Sequence, residues 1–142
     1  GLDGAVDYKS DDVDGALRAA APDGVDVYFD NVGGELLDVV LDQIRERARI
    51  VICGAISQYE SMESVRGPSL YLRLAERHAR MEGFAVNFFE TRYAEAQREL
   101  SAWLQEGKLV MHEHAFSGID QFPDALLTMF SGGHRGKLIV EP

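Results

Sequence analysis

The chain has 142 residues, 46% of them hydrophobic, and a single cysteine; that suffices for one globular domain, or a large piece of one, with a real core. No apolar run approaches the ~18 to 20 residues of a membrane span, and no basic start precedes an apolar stretch and a small-residue cleavage site, so the sequence predicts a soluble, unexported, cytoplasmic protein. The formal charge of −10 is concentrated at the front, where residues 1–42 hold eleven acids against Lys9 and Arg18, which argues against nucleic acid or a membrane surface as a partner of that part.

Short β-branched or aromatic runs alternate with helical patterns over residues 1–90, the reading order of an α/β protein with parallel strands. Residues 5–8 read as a short strand. Asp11 and Asp12 can cap a helix whose apolar positions Val13, Ala16, Leu17 and Ala20 recur at helical spacing, and Pro22-Asp23-Gly24 ends it in a turn. A second strand is predicted over residues 25–29. An Asp30-Asn31-Val32-Gly33-Gly34 loop follows, then a helix over residues 35–45 with Leu36, Val39, Val40 and Ile44 on one face. Residues 48–53 form the third and most apolar strand, as expected of a strand covered on both faces. Cys53, at its end, can form no intrachain disulfide and is expected to be a core thiol in a reducing compartment, with no cation beside it in sequence to activate it.

From Gly54 a polar loop runs to Pro68, long enough to be either functional or mobile. A helix over residues 69–79 then leads to a fourth strand over residues 81–86. Tyr93, Ala96, Leu100, Trp103 and Leu104 mark a helix that Gly107 closes. The remainder reads as strand (109–116), helix (123–130) and strand (137–140), with Gly132-Gly133 as the break.

Several enzyme signatures are absent from the sequence. It has no G-x-S-x-G elbow, no P-loop, no C-x-x-C pair and no G-x-G-x-x-G fingerprint. His112-Glu113-His114 would place two imidazoles on one face of a strand, but two ligands without a third carboxylate or thiolate read as a solvent-facing pair, so no metal is expected.

Three stretches carry a resemblance when taken together: Phe29-Asp30-Asn31-Val32-Gly33-Gly34-Glu35, Ile52-Cys53-Gly54-Ala55-Ile56-Ser57-Gln58-Tyr59, and Arg80-Met81-Glu82-Gly83-Phe84. With Asp7-Tyr8-Lys9 ahead of them and Gly136-Lys137-Leu138-Ile139-Val140 behind, they resemble the zinc-independent medium-chain dehydrogenase/reductase family, in the branch of prostaglandin reductases, leukotriene dehydrogenases and alkenal double-bond reductases. The resemblance implies an α/β fold: part of a Rossmann-type parallel sheet, strands 3, 4, 5 and 6 of the order 3-2-1-4-5-6, plus a closing strand-helix-strand segment. It assigns residues 1–107 to the NADP-binding domain and 108–142 to a return into a catalytic domain. On that template strands 1 and 2, the glycine-rich phosphate loop and the amino-terminal domain lie outside the sequence, and the 142 residues alone are expected to be inactive.

The implied reaction is NADPH-dependent reduction of the C=C bond of an enone or enal by a homodimer. Tyr59 matches a tyrosine near the substrate carbonyl, where a phenol can donate to the oxygen that becomes an enolate; the alternative is a loop tyrosine anchoring its own lid. Cys53, Gly54, Ala55, Ile56 and Ser57 match the loop along the cofactor. Asn31 matches a residue whose amide could reach a ribose or nicotinamide, or else it caps the following helix. Tyr8 matches a residue beside the adenosine 2′-phosphate. Phe84, Ala85 and Val86 match a stretch bordering the nicotinamide pocket, although apolar strand residues are core by default. His134 stands where relatives tend to carry asparagine. Two other readings stay open: a quinone reductase of the same family, and a non-catalytic binding or dimerising module.

Overall fold

The computed structural model describes residues 2–9 and 12–142, with side chains of residues 60–62 excepted. The chain divides into two compact units, Gly1–Phe88 and Phe89–Pro142.

In the first unit, helix α1 (Val13–Ala20) is capped by Asp12, whose carboxylate accepts the Gly15 N–H at 3.2 Å. That satisfies one of the donors a helix start leaves unpaired; Asp11, the other predicted cap, lies outside the described residues. Gly24, with φ of +91°, turns the chain into β1 (Val25–Asp30). Helix α2 (Gly34–Asp42), strand β2 (Ile44–Ile52), the short helix α3 (Arg73–Glu76) and strand β3 (Arg80–Gly83) follow. The three strands make a parallel sheet in the order β1-β2-β3. The register jumps from Val25–Ile44 to Val27–Arg49, and Arg47 takes a φ of +64° inside the irregularity.

The core lies on one face of this sheet. Leu37, Val40 and Leu41 of α2 pack with Ile44, Ala48 and Ile50 of β2, and Leu17 of α1 and Leu74 of α3 close over them. Each fully buried aliphatic side chain contributes about 1.5–3 kcal/mol. On the other face Val27 and Phe29 are half exposed. The predicted two-sided covering of the third strand is thus corrected: Ala48 and Ile50 are buried while Arg49 between them is exposed.

Other expectations also change. Residues 5–8 form no strand, because a strand is held by a neighbour's hydrogen-bond ladder and β1 pairs only with β2 among the described residues. The predicted helix over 69–79 shrinks to α3, and the fourth strand stops at Gly83. The polar stretch after Gly54 is a 3-10 helix over Ile56–Ser64.

The second unit holds α4 (Tyr93–Gln105), β4 (Glu113–Ser117), α5 (Phe122–Ser131) and β5 (Lys137–Glu141), with β4 and β5 paired in parallel. Helix α4 lies within this unit. Gly132 ends α5 in the left-handed conformation at φ of +71°, as a glycine after a helix allows. Strand β4 begins at Glu113, so His112 precedes it instead of sharing a strand face with His114, which stacks on Phe116 at 5.2 Å. No described helix is long and apolar enough to cross a membrane.

Candidate functional site

The site grows from the carboxyl ends of β1 and β2. Parallel pairing does not stop where the strands do: the Asp30 carbonyl accepts the N–H groups of Cys53 at 2.8 Å and Gly54 at 3.1 Å. Beyond it, the Asn31 carbonyl accepts Ile56 N–H at 3.0 Å and the Val32 carbonyl accepts Ser57 N–H at 3.2 Å. The Ser57 hydroxyl donates to the same Val32 carbonyl at 2.6 Å. Two loops far apart in sequence are therefore joined along their length.

Close approach of the loops depends on glycine. A Cβ on Gly33, already at φ of +67°, would meet the Ala55 Cβ at 2.8 Å, and one on Gly34, at φ of +60°, would meet the Ser57 hydroxyl at 2.9 Å. Either change would combine a strained backbone with a collision.

Asn31 and Tyr59 fall on this joined surface. The Tyr59 phenol oxygen accepts the Ala55 N–H at 3.2 Å, and its ring is 53% exposed. Among the described residues its own proton has no acceptor. Asn31 is exposed and does not cap α2: the cap position is Gly33, without a side-chain hydrogen bond.

The turn is held instead by Asp30, which the sequence reading passed over. Fully buried, it accepts from the Tyr28 hydroxyl, Val32 N–H and Gly33 N–H, each at 2.9 Å, all on Oδ1, while Oδ2 is buried without a partner. Burial first, then the bond to Asp30, raises the Tyr28 pKa well above the usual tyrosine range. An acid at a strand end just before Asn-x-Gly-Gly was the available signal, since such residues bind backbone N–H groups two or three positions on.

The remaining predicted residues scatter around this centre. Gly54 and Ala55 are half buried between the loops, and Ile56 is exposed. Cys53 is exposed, not a core thiol, because β2 ends one residue earlier. Phe84 packs edge-on against Phe29 with ring centroids 5.4 Å apart, whereas Ala85 and Val86 are exposed beyond the end of β3. Tyr8 and Ser57 line a cleft of about 670 Å³ together with Glu35 and Arg66. His134 belongs to the second unit, with Nδ1 buried and unpartnered. Among the described residues no group of three or more His, Cys, Asp or Glu side chains is arranged to hold a metal.

A family profile described as Zinc-binding dehydrogenase matches residues 1–140. The chain belongs to that dehydrogenase family. Within it, the chain is 42% identical over 99% of its length to prostaglandin reductase 1 of Mus musculus, covering 44% of that protein. It is 36% identical, again over 99% of its length, to (+)-pulegone reductase of Mentha piperita, covering 41% of it. The structure of CurA from Vibrio vulnificus in complex with NADPH superposes with a TM-score of 0.85 at 33% identity, over 99% of this chain and 43% of that one. These relatives agree with the zinc-independent branch, and the three-stranded parallel sheet of this dehydrogenase-family chain is Rossmann-type. The chain spans less than half the length of the relatives it matches.

Proposed function

We propose that this chain is the dinucleotide-binding part of an NADPH-dependent reductase that saturates the C=C bond of α,β-unsaturated aldehydes and ketones. The observation that carries the reading is the joining of the Asn31 and Tyr59 loops at the carboxyl ends of adjacent parallel strands, where open α/β sheets bind their ligands. Relatives named for prostaglandin and pulegone reduction, and a neighbour solved with NADPH, support it.

The residues present fit the nicotinamide-ribose end of such a cofactor. Residues 30–34 and 53–59 contain no lysine or arginine, and the acid among them, Asp30, is buried, so they offer uncharged donors and acceptors in place of a pyrophosphate cradle. Asn31 supplies an exposed amide, and Gly54 and Ala55 supply backbone without bulk. Tyr8, next to Lys9, is assigned to the 2′-phosphate, and Phe84 through Val86 to the border of the nicotinamide pocket. The cofactor, when bound, supplies hydride for the β-carbon.

Tyr59 is the catalytic residue in this reading. With its oxygen held by Ala55 N–H, the phenol donates a hydrogen bond to the substrate carbonyl that strengthens as negative charge gathers on the oxygen, and a proton from solvent then adds at the α-carbon. The joined loops fix the phenol and Asn31 on one surface, so orientation is settled before substrate arrives. The same reading assigns residues 1–107 to the nucleotide-binding domain and 108–142 to a return into a catalytic domain, and makes the enzyme a homodimer, which light scattering on the gene product tests.

The experiment is an assay of the full gene product with NADPH against enals, enones and quinones. Consumption of NADPH with formation of the saturated carbonyl product is expected. No turnover across the panel removes the proposal, and turnover confined to quinones replaces it with quinone reduction.

A further inference from the structure

Asp30 ends β1 with no exposed surface and does not line the cleft. Its effect on Asn31 and Tyr59 runs through peptide geometry. A peptide unit is planar and trans, so its N–H and C=O point in opposite directions. Asp30 Oδ1 holds the N–H groups of Val32 and Gly33. The carbonyls in those two peptide units are the ones belonging to Asn31 and Val32, and they are thereby turned the other way. That is where Ile56 N–H, Ser57 N–H and the Ser57 hydroxyl meet them. The Asp30 carbonyl adds Cys53 and Gly54 to the same seam.

We infer that Asp30 is the positioning residue of the site, its carboxylate setting through two peptide planes where the Gly54–Tyr59 loop docks, and hence where the Asn31 amide and the Tyr59 phenol lie. It acts through these groups and contacts no substrate. The kinetic consequence rests on the reductase reading; the structural consequence does not. A residue that merely shaped its own turn would influence residues 31–34 and nothing further.

The test compares Asp30→Ala and Asp30→Asn in the full gene product. Asparagine keeps an oxygen for Val32 and Gly33; alanine keeps none and leaves buried donors unsatisfied. In Asp30→Ala, amide hydrogen exchange is expected to quicken at Val32 and Gly33 and also across residues 54–59, while residues 48–52 of β2 stay protected. Asp30→Asn is expected to return most of the protection in both loops. On an enone, kcat/KM of folded Asp30→Ala is expected to fall about a hundredfold, the scale of a small misplacement of reacting groups, with most of it recovered in Asp30→Asn. If alanine prevents folding, Asp30→Ser, whose hydroxyl makes a weaker form of the same turn, is read by the same exchange pattern. Faster exchange confined to residues 31–34 overturns the inference, as does a folded alanine variant with wild-type kcat/KM. An inactive wild type overturns the reductase reading instead, and the exchange pattern then decides the role of Asp30 alone.

Discussion

The phenol oxygen of Tyr59 lies 2.8 Å from the point where a Cβ on Gly54 would sit. Gly54 has no positive φ among its constraints, so the space is what matters there. Gly54→Ala is expected to push the phenol aside and lower kcat on enones by about tenfold or more. In a Tyr59→Phe background the hydroxyl is gone and the same alanine should cost far less. A double-mutant cycle on kcat measures this coupling, and simple additivity would show that the methyl acts elsewhere.

Tyr59→Phe alone separates chemistry from architecture. The ring is exposed, and among the described residues its hydroxyl is bonded by the Ala55 N–H, itself near solvent. Thermal stability should therefore change by less than about 0.5 kcal/mol. Loss of a hydrogen bond to the developing oxyanion should lower kcat about a hundredfold. A variant that melts early but turns over normally would assign Tyr59 to the lid.

Much of this was legible in the sequence because it depends on neighbours in the chain. The Asp12 cap and the helical spacing of Val13 and Leu17 gave α1, and Gly107 and Gly132 marked the ends of α4 and α5. The Asn31 and Gly54 loops followed from strand ends. What escaped depends on distant partners. Residues 5–8 have strand-like side chains and no ladder to join. Cys53 looks like core beside Ile50 to Ile52, but exposure is decided by which face the helices cover. Asp30 looked like a loop acid because the local pattern that marks it as a turn-holding residue says nothing about its burial, which is complete.

Helix α2 offers a direct check on which face is buried. Helical spacing put Leu36, Val39, Val40 and Ile44 on one face; Val40 and Ile44 are buried, together with Leu37 and Leu41, the last with no exposed surface, whereas Leu36 and Val39 border the cleft. Leu41→Ala should cost about 2–5 kcal/mol in denaturant unfolding, the range for a large-to-small change in a packed core. Leu36→Ala, on a half-buried side chain, should cost clearly less. Equal costs would mean the helix is rotated.

Stability toward acid should report the ion network joining α1, α2 and α3. Arg18 bonds Asp14 and Asp42 at 3.0 Å each, and Arg73 bonds Asp42 at 2.8 Å. The bond from Arg18 holds the Asp14 carboxyl below its ordinary value of 3.8. Bonds from Arg73 and then Arg18 do the same for Asp42. A carboxyl with a lowered folded-state pKa binds protons more weakly when folded, so its contribution is present above 3.8 and is lost as pH falls through that value and below. These groups are partly solvated, so the contribution is modest and salt reduces it. Urea midpoints measured against pH should decline below this point in wild type and decline less steeply in Arg73→Met; identical slopes would mean the network adds nothing. Tyr28 supplies the opposite limb. Burial and its bond to Asp30 keep the phenol protonated above the ordinary tyrosine value of 10.0, so that contribution is present below 10.0 and is lost as pH rises toward the folded pKa. Tyr28→Phe should remove this alkaline decline and leave Asp30 Oδ1 with only the two backbone donors that orient the Asn31 turn.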